Sequence, residues 1–317
     1  MACAGTSASM QNLSQDNFLG FALPLPTLQE QAAIVTFLDR ETAKIDALIA
    51  EQEKLIALLA EKRQATISHA VTRGLNPNAP MKNSGVPWLG EVPAHWECVR
   101  IRHAIRNIEQ GWSPQCENFP AEEDEWGVLK VGCVNGGVFD PTENKKLPAD
   151  LEPLQQYALR RHDVLVSRAN TRDLVGSAAS LSADHPRLLL CDKLYRLRAD
   201  VGRCEPEFLA LYLRTSAARS QIQLEASGAS SSMLNIGQSV LLDLWMPLPP
   251  LGEQRSIVGF VRAEVEKLEA LTSSCTNNMT LLQERRSALI AAAVTGQIDV
   301  RGLAPETSVP AREEATV

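Results

Sequence analysis

The sequence lacks the motifs on which many enzymatic reactions depend. Its 317 residues contain no GxxxxGK[ST] phosphate loop, no GxSxG nucleophile turn and no HExxH metal motif. The five histidines show no metal-ligand spacing, and the seven cysteines form no CxxC pair. These absences argue against ATP hydrolysis, serine hydrolysis and a zinc site. We therefore expect the chain to bind no cofactor or metal and to catalyse no reaction itself.

Long apolar runs and a basic excess are also missing. No apolar stretch approaches the about 20 residues that span a bilayer, and the odd number of cysteines argues against a disulfide framework. These features predict a cytoplasmic protein with no membrane partner. The net charge of −7 is not that of a nonspecific nucleic-acid coat. Between Arg160 and Arg219, however, eleven arginines and lysines stand against seven aspartates and glutamates, which is compatible with a local DNA-reading face.

What the sequence does contain is a long internal repeat. Residues 5–72 align without a gap with residues 228–295, and about 29 of roughly 68 positions are identical. Both copies pass through Pro-Leu-Pro into a Glu-Gln pair, and both end on Ala-Val-Thr. The two copies bracket a block of different character, which indicates a duplicated helical scaffold around one inserted domain.

Each copy predicts one long helix. In the first copy, Thr27 and Glu30 fit a capping box, whereas Pro250 replaces the threonine in the second. Apolar residues then recur at helical spacing over about 42 residues, or roughly 60 Å. Gly74 and Gly296 provide stop signals just beyond the two repeats.

A helix of this length needs a partner for its apolar stripe, and the other copy is the obvious candidate. The chain leaves the first helix, traverses the central block and returns, so the simplest pairing is an antiparallel coiled coil. The alternative is that each helix packs on the central domain as ordinary core. We interpret the apolar heptad positions as seam and partner-binding residues, namely Ile45, Leu48, Leu55, Leu59, Leu268, Leu271 and Leu282.

The central block alternates short β-like runs with turns and a helix. Residues 128–131, 163–167 and 188–191 are rich in valine and leucine and predict strands, and residues 207–219 have the pattern of a packed helix. The predicted fold class is therefore α+β, with one globular domain flanked by two long helices that form an antiparallel coiled coil.

The motifs together resemble a specificity subunit of a type I restriction-modification system. The resemblance is carried by five segments: 85–96 (GVPWLGEVPAHW), 111–114 (GWSP), 163–171 (DVLVSRANT), 228–233 (GASSSM) with Asn235, and 247–254 (PLPPLGEQ). It implies a non-catalytic, DNA-binding target-recognition domain and helices that dock methyltransferase subunits. It also implies that S-adenosylmethionine, ATP and Mg are bound by the methyltransferase and restriction/translocase partners rather than by this chain.

The chain departs from the family pattern of two recognition domains, each followed by a helix, because only one such domain is complete. We expect it to read one half of a bipartite double-stranded DNA target, either truncated, paired with another specificity fragment or as a homodimer. An alternative function is that of a coiled-coil decoy that binds methyltransferase subunits without reading DNA. The predicted segments are a remnant of a first domain (1–26), the first helix (27–75), a linker (76–96), the recognition domain (97–250), the second helix (251–297) and a disordered tail (298–317).

The candidate DNA contacts centre on a polar segment that follows a strand-like run. Arginine forks suit guanine, asparagine suits adenine, and hydroxyls or lysines suit phosphates. The alternative is that Arg168 and Asn170 merely tie a loop together. The predicted DNA-binding residues are Lys130, Ser167, Arg168, Asn170, Thr171, Arg172, Lys193, Ser230, Ser231 and Ser232.

Overall fold

A computed structural model describes residues 25–230 and 233–301, together with the single positions 15, 19 and 20; the side chains of residues 229 and 230 are not described. The chain divides into two compact units. One is Leu59–Glu269, and the other combines Met1–Leu58 with Ala270–Val317. We refer to them as the recognition unit and the helical unit.

Both long helices are present. The described α-helices of more than one residue are α1 (Leu28–Arg73), α2 (Pro206–Leu213), α3 (Ser216–Glu225), α4 (Gln238–Asp243) and α5 (Leu251–Val294). The described strands are β1 (Met81–Asn83), β2 (Glu91–Pro93), β3 (Glu97–Arg100), β4 (Ile105–Gln110), β5 (Gly127–Leu129), β6 (Asn144–Lys146), β7 (Ala158–Leu159), β8 (Asp163–Ser167), β9 (Ala169–Asn170), β10 (Ala178–Ser180), β11 (His185–Leu189), β12 (Leu194–Ala199), β13 (Ser227–Ser230), β14 (Met233–Asn235) and β15 (Trp245–Leu248). No helix among the described residues is both long and apolar enough to cross a membrane.

The capping box at the start of α1 is confirmed. The Thr27 amide donates to Glu30 Oε2 at 2.9 Å, and the Glu30 amide donates to Thr27 Oγ1 at 3.3 Å. Each of these hydrogen bonds gives an acceptor to an amide that the start of the helix would otherwise leave without one. Gly74 follows the last residue of α1 with a φ of 77°, a left-handed conformation that glycine adopts without steric cost.

The two long helices run antiparallel within each unit. In the helical unit, Phe37 packs in one cluster with Ala293, and Asp46 pairs with Arg286 at 2.9 Å. As the residue numbers increase along α1, the numbers of the contacting residues on α5 therefore decrease. In the recognition unit, Arg63 pairs with Glu269 at 3.2 Å, and Gly74 lies beside Glu253. These two contacts show the same antiparallel direction. The antiparallel pairing expected from the repeat is confirmed.

The phase of the predicted seam was partly wrong. Ile45, Leu59 and Leu268 are buried, and Leu282 is half-buried. In contrast, three predicted seam leucines are 52%, 42% and 53% exposed and lie outside the seam, namely Leu48, Leu55 and Leu271.

The reason is visible in the spacing of α1. Ile49 and Ile56 are half-buried, so burial follows steps of four and three from Ile45 to Leu59 rather than three and four. Both phases share residues 45, 52 and 59, and the sequence has an apolar residue at both alternatives of each intervening position. Heptad spacing alone therefore did not distinguish the two phases.

Two four-stranded sheets form the body of the recognition unit. Their strand orders are β10-β8-β12-β4, which is antiparallel throughout, and β6-β5-β11-β7, in which β5 and β11 are parallel. The central strand β8 is buried at all five positions and coincides with the predicted strand. Smaller sheets join β13, β14 and β9, and pair β15 with β3. The α+β fold class is confirmed.

Residues 76–96, predicted as a linker, contain a folded hairpin. Strands β1 and β2 pair antiparallel, and the side chain of Trp96 is fully buried in the main core. The Trp96 carbonyl accepts a hydrogen bond from Lys82 Nζ at 2.6 Å. The predicted single helix at 207–219 is two helices, because Thr215 caps α3 by accepting the Ala218 amide.

Candidate nucleic-acid interface

Three segments that are distant in the sequence meet at the end of β8. The Arg168 amide donates to the Lys193 carbonyl at 2.9 Å, and the Arg168 carbonyl accepts the Ile236 amide at 3.0 Å. Asn170 pairs with Leu234 where β9 joins β14. These contacts therefore bring together three parts of the chain, namely the predicted segment after β8, the residue before β12 and the β13–β14 hairpin. We call the surface that they form the reading face.

The side chain of Asn170 is occupied within the reading face. Its Nδ2 donates to Asn135 Oδ1 at 3.2 Å and to Ser167 Oγ at 3.4 Å, and its Oδ1 accepts the Thr171 amide at 2.9 Å. Arg168 Nη1 lies 3.4 Å from the Asp192 carbonyl, which is a long hydrogen bond. These contacts are of the kind expected if Asn170 ties the loop together. Base contact by Arg168 and Asn170 stays a prediction.

Ser167 does not fit the predicted role. It is fully buried as the last residue of β8, and its hydroxyl accepts from Asn170. A side chain with no solvent exposure cannot contact a DNA duplex in this conformation. The prediction for this residue was wrong because Ser167 belongs to the buried strand itself, which the sequence placed correctly, and not to the polar loop that follows it.

Among the predicted DNA-binding residues whose side chains are described, Thr171, Arg172 and Lys193 are exposed. Lys130 is half-buried and precedes the 3-10 helix Val131–Val134, which leads into Asn135. Ser231 and Ser232 lie outside the described residues. The backbone of Ser230 pairs with Met233, while its side chain is among those not described.

The Gly-Trp-Ser-Pro motif lies against the strand that leads to Lys193. A Cβ atom on Gly111 would lie 2.0 Å from the Leu190 carbonyl oxygen, so only glycine permits this approach. The Trp112 amide donates to that same carbonyl at 3.0 Å, and Ser113 Oγ donates to Asp192 Oδ1 at 2.5 Å. The motif therefore fixes the position of Asp192 and engages its carboxylate beside the basic residues.

Sequence reasoning missed a second layer of residues behind the reading face. Arg219 of α3 donates to the carbonyls of Arg172, Asp173 and Val175. Burial lowers the pKa of this guanidinium. Nothing in the sequence connects an arginine in a helix with a loop more than forty positions earlier, so only the tertiary structure identifies it.

The described residues offer no metal centre. They contain no group of three or more histidine, cysteine, aspartate or glutamate side chains that could hold a metal ion. The buried thiols of Cys191 and Cys204 have pKa values raised to about 12 by burial, so neither is an activated nucleophile.

No family model matches the chain. Among curated proteins it is 28% identical over 209 residues to the type I restriction enzyme EcoEI specificity subunit of Escherichia coli, covering 66% of this chain and 35% of that protein. It is 23% identical over 296 residues to the StySPI specificity subunit of Salmonella potsdam, covering 92% of this chain and 60% of that protein. The chain thus spans between about a third and three fifths of the length of these relatives.

Two solved structures share the fold. A chain from a type I restriction-modification system, solved to explain complex assembly and conformational transition, superposes with a TM-score of 0.67 at 20% identity, covering 93% of this chain and 67% of that chain. The HsdS subunit from Thermoanaerobacter tengcongensis gives a TM-score of 0.50 at 20% identity, covering 94% and 66%. With the curated relatives, these similarities agree with the repeat, the two antiparallel helices and the single central domain. The chain is therefore similar in sequence and in fold to specificity subunits of type I restriction enzymes.

Proposed function

We propose that this chain is the DNA sequence-recognition subunit of a type I restriction-modification complex and reads one half of a bipartite target. The observation that carries the proposal is the reading face, where exposed Arg172 and Lys193 stand on a frame of backbone hydrogen bonds. Arginine and lysine side chains on a fixed frame supply the base-edge and phosphate contacts that sequence reading requires.

The remaining parts of the complex would be bound through the long helices. Leu48, Leu55 and Leu271 are exposed apolar side chains of the helical unit and are available to methyltransferase subunits, which in turn bind the restriction/translocase subunit. In this proposal S-adenosylmethionine, ATP and Mg belong to those partners. The chain itself is non-catalytic and acts in the cytoplasm.

A two-part target requires a second reader. We propose that a second copy of this chain, or another specificity fragment, supplies it; two identical readers related by a two-fold axis would specify a palindromic bipartite site. Light scattering of the chain alone and with its methyltransferase subunit should give the mass of an assembly with two such chains. A strict monomer under both conditions would contradict the pairing without affecting DNA reading by the single domain.

The competing function is a decoy that binds methyltransferase subunits but not DNA. The relatives named as specificity subunits and the folded recognition unit both favour a reader. Base-resolution methylome sequencing with and without this gene discriminates the two. A reader predicts that one methylated motif disappears when the gene is removed, whereas a decoy predicts that no motif disappears.

Arg172→Ala provides the residue-level test in the same strains. Loss of a base contact should relax the motif at one position, with about 1–3 kcal/mol less discrimination. The matched control is Arg106→Ala, because this change, like Arg172→Ala, removes one exposed arginine. Arg106 lies on β4. Arg106 lies near the opposite end of that strand from Gln110, which donates to the Asp192 carbonyl at 3.1 Å. An unchanged motif in the Arg172 variant would remove this residue from the interface.

A further inference from the structure

The loop that presents Arg172 is held from behind by one side chain. Arg219 Nη2 donates to the carbonyls of Arg172 at 3.1 Å and Asp173 at 2.9 Å, and its Nη1 donates to the Val175 carbonyl. A single guanidinium therefore contacts three carbonyl oxygens within four residues of the loop.

These contacts complement the hydrogen bonds that the loop makes itself. The Thr171 carbonyl accepts the amides of Leu174 and Val175, at 3.1 and 2.8 Å, and the Leu174 carbonyl accepts the Ser177 amide at 3.0 Å. Arg219 supplies donors to carbonyls that these backbone bonds leave out, those of residues 172, 173 and 175. The loop is therefore held both by its own backbone hydrogen bonds and by the guanidinium.

The helix that carries Arg219 is rigidly placed. Ala218 and Ile222 are fully buried in the main core, and Thr215 caps the helix. Gly176 closes the loop at a φ of 78°, and a Cβ there would lie 2.7 Å from Ile222 Cδ1. The guanidinium is therefore carried by a helix that is packed in the core, and the loop that it binds is closely packed against the same helix.

Within the described part of the chain, Arg219 forms no ion pair and donates its hydrogen bonds to carbonyl oxygens. Of the three residues whose carbonyls it binds, Arg172 and Asp173 are exposed, and Val175 is fully buried in the main core. Its hydrogen bonds therefore act on the position of two surface residues as well as on a residue of the core.

We infer that Arg219 is a positioning residue for sequence reading: its fork onto the 172, 173 and 175 carbonyls sets where the Arg172 side chain meets the DNA. This inference rests on the proposed function, because it concerns the residue that presents a proposed contact. A lysine keeps the charge but has no planar fork, so it cannot hold the three carbonyls in the same geometry.

The experiment is selection from a random double-stranded DNA library by the full chain, followed by sequencing of the bound fraction. The variants are Arg219→Lys and Arg219→Ala, with Arg106→Ala as the control for loss of one arginine. Wild type and Arg106→Ala should enrich the same motif. Both Arg219 variants should lose roughly tenfold in enrichment at the position read by Arg172, a size typical of one good base contact.

A second measurement distinguishes positioning from folding and from charge. Arg219→Lys should melt near the wild-type temperature and bind unselected DNA at low salt almost as well, while amide hydrogen exchange at Leu174 to Ser177 becomes faster. Full retention of the motif by Arg219→Lys would overturn the inference, because charge alone would then suffice. If Arg219→Ala fails to fold, the lysine variant decides alone. Absence of any motif with wild type would instead overturn the proposed function, and the inference with it.

Discussion

The two copies of the repeat have similar sequences but different surroundings. Each position of the first copy corresponds to the position 223 residues later. At the end of the first copy, Ile67 and Val71 are fully buried in the core of the recognition unit. Their equivalents in the helical unit are Ile290, which is half-buried, and Val294, which is 48% exposed. Equivalent apolar side chains are therefore core residues in one unit and surface residues in the other.

At the beginnings of the two copies, apolar side chains are again more buried in the recognition unit than their equivalents in the helical unit. Val258 of α5 is buried in the recognition unit, whereas its equivalent Val35 is 55% exposed in the helical unit. Leu248 is buried, and its equivalent Leu25 is 88% exposed. The helical unit thus keeps apolar side chains whose counterparts cover a recognition domain. This difference supports the proposal that a second domain of the same kind binds the helical unit.

One substitution explains why the conserved glutamate has different partners in the two copies. Thr27 binds Glu30 through both its amide and its hydroxyl, and these bonds lower the pKa of Glu30. Pro250 has neither donor, so the equivalent Glu253 accepts from Trp96 Nε1 at 3.0 Å and contacts His95 Nε2 at 2.9 Å. The same carboxylate caps a helix in one copy and anchors the start of the recognition domain in the other.

The largest difference in stability is expected between equivalent side chains at the C-terminal ends of the two copies. Ile67→Ala should lower the free energy of unfolding by about 2–5 kcal/mol, because it removes a fully buried side chain and leaves a cavity. The matched change Ile290→Ala should cost roughly 1 kcal/mol or less in the isolated chain, since that position is half-buried. Urea denaturation of both variants measures the difference.

The same two variants also test whether a second domain covers the helical unit. If a second domain covers the helical unit, Ile290→Ala should weaken assembly with the methyltransferase subunit or with a second chain, as measured by light scattering. Equal stability losses for the two isolated variants would show that the two ends are equally buried in solution, contrary to the structure.

An intermediate effect is expected where the glutamates differ. Glu253→Ala leaves the fully buried Trp96 indole without its acceptor and should cost about 1–3 kcal/mol. Glu30→Ala removes only exposed capping bonds and should cost less. Thermal unfolding of the two variants, read by the fluorescence of the tryptophans, compares them directly. A larger loss for Glu30→Ala would contradict the assignment of Glu253 as the anchor.

The sequence predicts these features unevenly, for physical reasons. The repeat and the capping box follow from local chemistry, and both helices appear where the pattern predicts them. The seam phase did not follow, because Leu48 and Ile49 are both apolar and only the partner helix selects between them. The buried state of Ser167 and the role of Arg219 depend on contacts between distant segments, which no spacing along the chain encodes.

The smallest expected effect concerns two ion pairs that the repeat makes equivalent. Asp46 with Arg286 in the helical unit and Glu269 with Arg63 in the recognition unit occupy corresponding positions, at 2.9 and 3.2 Å. The side chains of the first pair are 42% and 52% exposed and therefore well hydrated, so Arg286→Asp should cost only about 0.2–1 kcal/mol.

Exchange of the charges isolates the contribution of that pair. The double variant Asp46→Arg with Arg286→Asp should recover most of the loss if the antiparallel alignment places these residues side by side, because the attraction is restored with its sign reversed. Arg63→Ala should cost more than Arg286→Ala, since the Arg63 side chain is 28% exposed and the Arg286 side chain 42% exposed. Chemical denaturation of the single and double variants at low and high salt measures the free energy lost in each single variant and the part that the exchanged pair recovers. Failure of the exchanged pair to recover stability, with the single variants folded, would contradict the alignment of α1 with α5 in the helical unit.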